Sequence, residues 1–128
     1  MKIQKTYIAC ILLLSISASL LWTTASEGMT AKEAYFRAET CYKKLRNSRT
    51  KMKYRDNWLN CIEKFQLVYS LEPSGPWAPA GLYMSGKLYQ QLAKYSQRKS
   101  DQQEALDLFE RITKRFPSSR YRDKAAAE

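Results

Sequence analysis

Apolar positions recur along this chain at the spacing of one helix face. From 58 to 71 they fall at Trp58, Ile62, Phe65, Val68 and Tyr69, with Leu59 and Leu71 off the main stripe. From 82 to 92 they fall at Leu82, Leu88, Tyr89 and Leu92, with small Ser85 and Gly86 between them. Recurrence at i, i+3, i+4 and i+7 marks an amphipathic helix, because 3.6 residues complete a turn. Local start signals fit this reading. Thr30-Ala31-Lys32-Glu33 forms a capping box before the first helix, and Ser100-Asp101-Gln102-Gln103 forms another before the fourth. Ser118 is placed to cap a fifth. Pro73 and Pro117 stand just past helix ends, where proline does no harm. The pattern predicts an all-α fold.

The stripes repeat. A shift of 47 residues pairs "YFRAETCYKKL" (35–45) with "LYMSGKLYQQL" (82–92), matching Tyr42 to Tyr89, Leu45 to Leu92, Ala38 to Ser85 and Cys41 to Leu88. A shift of 44 pairs "CIEKFQLVYSLEPS" (61–74) with "ALDLFERITKRFPS" (105–118), matching Phe65 to Phe109, Val68 to Ile112 and Pro73 to Pro117. The chain thus divides into two copies of a two-helix unit, about 31–73 and 77–117, and a partial third helix over 119–128. Stacked repeats need about three units, or a cap, to cover their end faces. The last hairpin is therefore expected to have an uncovered side.

The first 25 residues bear on the compartment. Lys2 and Lys5 precede an uncharged apolar run from Ile8 to Trp22, and Thr23-Thr24-Ala25 follows with small residues. That is the three-part order of a secretory signal, with cleavage expected after Ala25 and no membrane span afterwards. The run, about fifteen residues, is shorter than the ~20 a spanning helix needs. An uncleaved N-terminal anchor is the alternative. Too little apolar chain precedes Cys10 for it to be a lipidation site. An exported chain, periplasmic or beyond, has little occasion to meet nucleic acid. The formal net charge of +10, which falls to +8 once Lys2 and Lys5 leave with the leader, then points to acidic envelope material or to a partner protein.

Composition excludes most catalysis. There is no histidine, which removes the usual general base, the commonest zinc ligand and every Ser-His or Cys-His nucleophile. Two cysteines beyond the leader, Cys41 and Cys61, are too few for a metal cage. No glycine-rich phosphate loop occurs. The expectation is a protein that is not an enzyme and carries no cofactor.

Certain residues resemble a known family. Cys61, Phe65, Val68 and Pro73 match the A-x3-F-x2-A-x4-P half of the tetratricopeptide repeat, and Ala105, Phe109, Ile112 and Pro117 match it again. Leu82, Gly86 and Tyr89 sit where the first helix of that repeat carries its large residue, its glycine and its tyrosine. The period of 44 to 47 exceeds the usual ~34, and the excess falls in the inter-helix loops, Asn47 to about Arg55 and about Tyr95 to Ser100. More closely, "YRDNWLNCIEKF", "APAGLYMSGKLY" and "SDQQEALDLFERITKRFPSSRYRDKA" resemble the region preceding the catalytic domain of some bacterial periplasmic N-acetylmuramoyl-L-alanine amidases. The resemblance implies a non-catalytic scaffold at the cell wall. That family's zinc is held by histidine and glutamate, so no catalytic residue carries over to a chain without histidine. A periplasmic adaptor of outer-membrane assembly or division machinery is the alternative.

Three sets of residues are candidates for contact. First helices of such repeats line the concave face, which nominates Tyr35, Glu39, Lys43, Tyr83, Lys87 and Gln90 for a partner protein. The plainer reading has Tyr35 and Tyr83 completing the hairpin core. The loop cations Arg49, Lys51, Lys53, Arg55, Arg98 and Lys99 are expected on one basic edge, facing either anionic envelope material such as peptidoglycan or only solvent. Cys41 and Cys61 fall at equal height in a hairpin centred near residue 51. They are either two small buried hydrophobes or a disulfide, which an oxidising compartment permits and which would stabilise by about 3 kcal/mol.

Overall fold

The computed structural model describes residues 28 to 128; the leader expected over residues 1–25 lies outside them. The described chain is all-helical: α1 (Ala31–Arg46), α2 (Arg49–Met52), α3 (Arg55–Leu71), α4 (Ala78–Ser96), α5 (Lys99–Arg115) and α6 (Tyr121–Ala126). No strand occurs among these residues.

The helix boundaries follow from local chemistry in some places and from distant contacts in others. At α1 the Thr30 hydroxyl accepts from the Glu33 N–H at 3.2 Å, and the Thr30 N–H donates to the Glu33 carboxylate at 2.9 Å. Two orphan donors of the first turn are thereby satisfied. The stretch expected as a loop from Asn47 to Arg55 instead holds a short helix, α2, capped by the Ser48 hydroxyl, which accepts from Lys51 N–H. Long polar side chains tie this turn to α3: Trp58 Nε1 donates to the Met52 carbonyl and Asn57 Nδ2 to the Lys51 carbonyl, both at 2.9 Å. The box expected at Ser100 does not form. The helix starts two residues earlier than that cap implies, at Lys99, with Arg98 as its extended cap residue. Asp101 is turned inward, and Gln97 in a left-handed conformation (φ 54°) carries the chain round from α4. Ser118 likewise is not a cap. Arg120 precedes α6, and Ser119 supplies the hydroxyl that accepts from Tyr121 N–H.

Consecutive long helices run antiparallel, as their contacts show. Tyr35 near the start of α1 meets Phe65 in the second half of α3, ring centroids 5.6 Å apart. Trp58 at the start of α3 meets Tyr95 at the end of α4. Tyr83 near the start of α4 meets Phe109 in the second half of α5. The core has two parts. Ala38, Leu45, Trp58, Ile62, Phe65, Leu88 and Leu92 fill the space among α1, α3 and α4. Leu82, Leu108, Phe109 and Ile112 fill that between α4 and α5, with Ala125 of α6 over them. Each fully buried large apolar side chain contributes about 1.5–3 kcal/mol relative to exposure. Helix α4 is central because its small residues let both neighbours approach. A Cβ on Gly81 would lie 2.7 Å from the Phe65 carbonyl, and one on Gly86 2.6 Å from the Phe109 ring.

Candidate binding surfaces

The polar face of α4 is built from residues four and three apart. Tyr83, Lys87, Gln90 and Lys94 therefore lie along one line of the helix. Three of them converge on the carboxylate of Glu128. The Tyr83 hydroxyl donates to Oε1 at 3.1 Å, Lys87 Nζ donates to Oε1 at 2.7 Å, and Gln90 Nε2 donates to Oε2 at 3.1 Å. The Lys87 contact, then those of Gln90 and Tyr83, hold the Glu128 carboxyl below the usual range. Burial, then the hydrogen bond to Glu128, pushes the Tyr83 phenol up. Beside this cluster a cavity of about 490 Å³ opens between α4 and α5, with Lys94, Gln102 and Leu106 also on its walls.

The other partner candidates are placed differently. Tyr35 is only 9% exposed. It packs against Phe65 and Trp77, and burial pushes its phenol up to about 12. It is a core residue, and only the plainer reading of it stands. Glu39 is half-buried on α1 and Lys43 is exposed one turn later, and neither lines the cavity beside the α4 cluster.

At one end of the bundle the basic residues gather. Arg49, Lys51 and Lys53 project from α2 and its flank and are exposed. Arg49 and Lys53, with Arg46, Met52 and Tyr95, line a cavity of about 390 Å³. Tyr95 belongs to the end of α4, so Arg98, in the turn that follows, and Lys99, the first residue of α5, lie at the same end. Among the described residues none of these cations has a carboxylate within 4.0 Å. Comparison with protein-family models, curated proteins and solved structures returned no match. Among the described residues no cluster of three or more Cys, Asp or Glu could hold a metal, and no helix is long and apolar enough to cross a membrane.

Arg55 does not belong to the exposed basic edge. Its guanidinium grips Asp101 with both arms, Nη1 to Oδ2 at 2.5 Å and Nη2 to Oδ1 at 2.7 Å. The Asp101 side chain is 2% exposed and that of Arg55 30%. Ser96 Oγ also donates to Asp101, at 2.6 Å. The Arg55 hydrogen bonds, outweighing desolvation, hold the Asp101 carboxyl below its ordinary value. The two residues are 46 apart, one repeat period, and each stands in the first turn of the second helix of its pair. Opposite charges at equivalent positions of neighbouring repeats are the signal that would have found this pair. Tyr69 and Arg115, also 46 apart, join the far ends of the same two helices through the Arg115 guanidinium and the Tyr69 hydroxyl.

Cys41 and Cys61 are joined by a disulfide that links α1 to α3, with Cα atoms 5.5 Å apart. Cys61 is buried, whereas Cys41 is partly exposed beside Asn60 and Lys44. Chemically the described surface offers charge, hydrogen-bond donors and shape.

Proposed function

We propose that this protein is an exported, non-catalytic helical-repeat scaffold that works at the cell wall, as the front module or companion of a peptidoglycan-cleaving N-acetylmuramoyl-L-alanine amidase. Two helix pairs, each closed by a proline at an equivalent position, support reading the bundle as tetratricopeptide-like hairpins. The observation that carries the cell-wall reading is the gathering of Arg46, Arg49, Lys51, Lys53, Arg98 and Lys99 at one end, with no carboxylate within 4.0 Å among the described residues. Clustered uncompensated charge attracts polyanions, and the attraction fades beyond a Debye length of ~10 Å at 0.1 M salt. Peptidoglycan carries exposed carboxylates and fits that chemistry.

Replacing Arg49, Lys51, Lys53, Arg98 and Lys99 by glutamine is expected to abolish co-sedimentation with insoluble peptidoglycan at low salt. Arg55 is left intact because it holds the fold. Sedimentation unchanged by the five substitutions, or insensitive to salt, would show the edge to be merely solvated. In the same assay the unaltered protein with added zinc is expected to release no stem peptide. The second reading, an adaptor for another envelope protein, draws on the polar face of α4 rather than on this edge.

A further inference from the structure

We propose that the polar face of α4 is a carboxylate-recognition site for an acidic peptide segment of a partner protein, and that Glu128 occupies it in cis. Three neutral or cationic donors on one helix line, Tyr83, Lys87 and Gln90, close on a single carboxylate at 3.1, 2.7 and 3.1 Å. Charge-assisted bonds of this kind are the stronger ones. The carboxylate they hold reaches them from beyond α6, which itself is only six residues long. Nothing in α4 requires that particular carboxylate; any glutamate or aspartate on an extended segment presents the same two oxygens.

The cavity is larger than its occupant. Lys94 rims the same space two helical turns beyond Lys87 and has no carboxylate within 4.0 Å among the described residues. At ~1.5 Å rise per residue the two lysines are spaced about 10 Å along the axis. An extended peptide rises ~3.3 Å per residue, so two acidic residues three positions apart match them. Leu106, 45% exposed on the opposite wall, offers apolar contact to one of the two residues between them. The ligand class is therefore a diacidic extended peptide, and none of the loop cations Arg49, Lys51, Lys53, Arg98 and Lys99 lines this cavity.

Binding should then compete with Glu128. A site open only part of the time binds with an apparent affinity reduced by the open fraction. If Glu128 fills it about four-fifths of the time, Glu128→Gln tightens binding about five-fold. The probe is a fluorescein-labelled glycine–serine octapeptide carrying two glutamates three positions apart, with its diglutamine twin as the neutral probe, read by fluorescence anisotropy. The expected results are binding of the acidic peptide over the neutral one, the about five-fold gain in E128Q, and a loss of at least about ten-fold when Lys87→Gln is added to E128Q. Binding in the protein with glutamine at 49, 51 and 53 should match that of the unaltered protein. Equal binding of both peptides, or no gain in E128Q, overturns the proposal. So does loss of peptide binding in the 49/51/53 variant, which would assign the carboxylates to the basic edge instead.

Discussion

Asp101 stands almost without solvent at the seam between the two helix pairs, and among the described residues Arg55 is the one cation that forms an ion pair with it. Removing one partner of a buried pair leaves a stranded charge, which costs more than the pair was worth. Arg55→Met is expected to destabilise the fold by about 3 kcal/mol, the low end of that range because Arg55 is partly exposed. Adding Asp101→Leu should recover most of the loss, and urea unfolding of both variants checks this. The pair also sets an acid limb. Asp101 has a depressed pKa in the folded protein, so its stabilisation is complete above the ordinary carboxylate value of ~3.9. It is lost as the pH falls through the lower folded value. The Asp101→Asn protein should show a shallower decline of melting temperature over that window. Sequence alone places Asp101 in a helix-start motif, because Ser-x-x-Gln is a local pattern. The carboxylate's true partner is 46 residues away, and local pattern carries no sign of it. Tyr35 was ambiguous for a related reason: a tyrosine on a helix stripe fits both core and groove, and Phe65 with Trp77 decide for the core.

Helix α4 shows what stripes can and cannot foretell. Its apolar line, its small residues and its proline-bounded neighbours were all legible, because a helix face repeats within a few turns. The all-helical class followed from that. What the small residues are for becomes visible only with α3 and α5 in place. Gly81→Ala would put a methyl group against the Phe65 carbonyl and Val68 Cβ. Backbone cannot yield as a side chain can, so overpacking should cost about 1–3 kcal/mol, more than the ~1 kcal/mol gained from alanine's helix propensity. The variant is expected to melt at a lower temperature than the unaltered protein. An unchanged or raised melting point would mean that α3 and α4 separate freely. The capping box at Thr30 was readable for the same reason as the stripe, since its partners are three residues apart. The short α2 was not, since it depends on Trp58 and Asn57 reaching back to its carbonyls.

Seen entire, the molecule is a short stack in which each long helix touches the next, and the pairs Arg55–Asp101 and Tyr69–Arg115 rivet the second helix of one hairpin to that of the next at both ends. The position of Glu128 on the polar face of α4 had no counterpart in sequence, because a residue beyond a six-residue helix has no stripe to place it. The disulfide has a mechanical consequence. Cys41 and Cys61 are separated by 20 residues, so tension applied along the chain passes through the sulfur bridge and bypasses everything between. At ~3.6 Å per extended residue, about 70 Å of slack is withheld from any stretching load. Single-molecule extension of the oxidised protein is expected to stop short by about that length, and reductant to release it. No change on reduction would mean that the two sulfurs are not bonded in solution. The chain between the sulfurs, with Arg49, Lys51 and Lys53, thus stays out of the line of pull even when the helices on either side have given way.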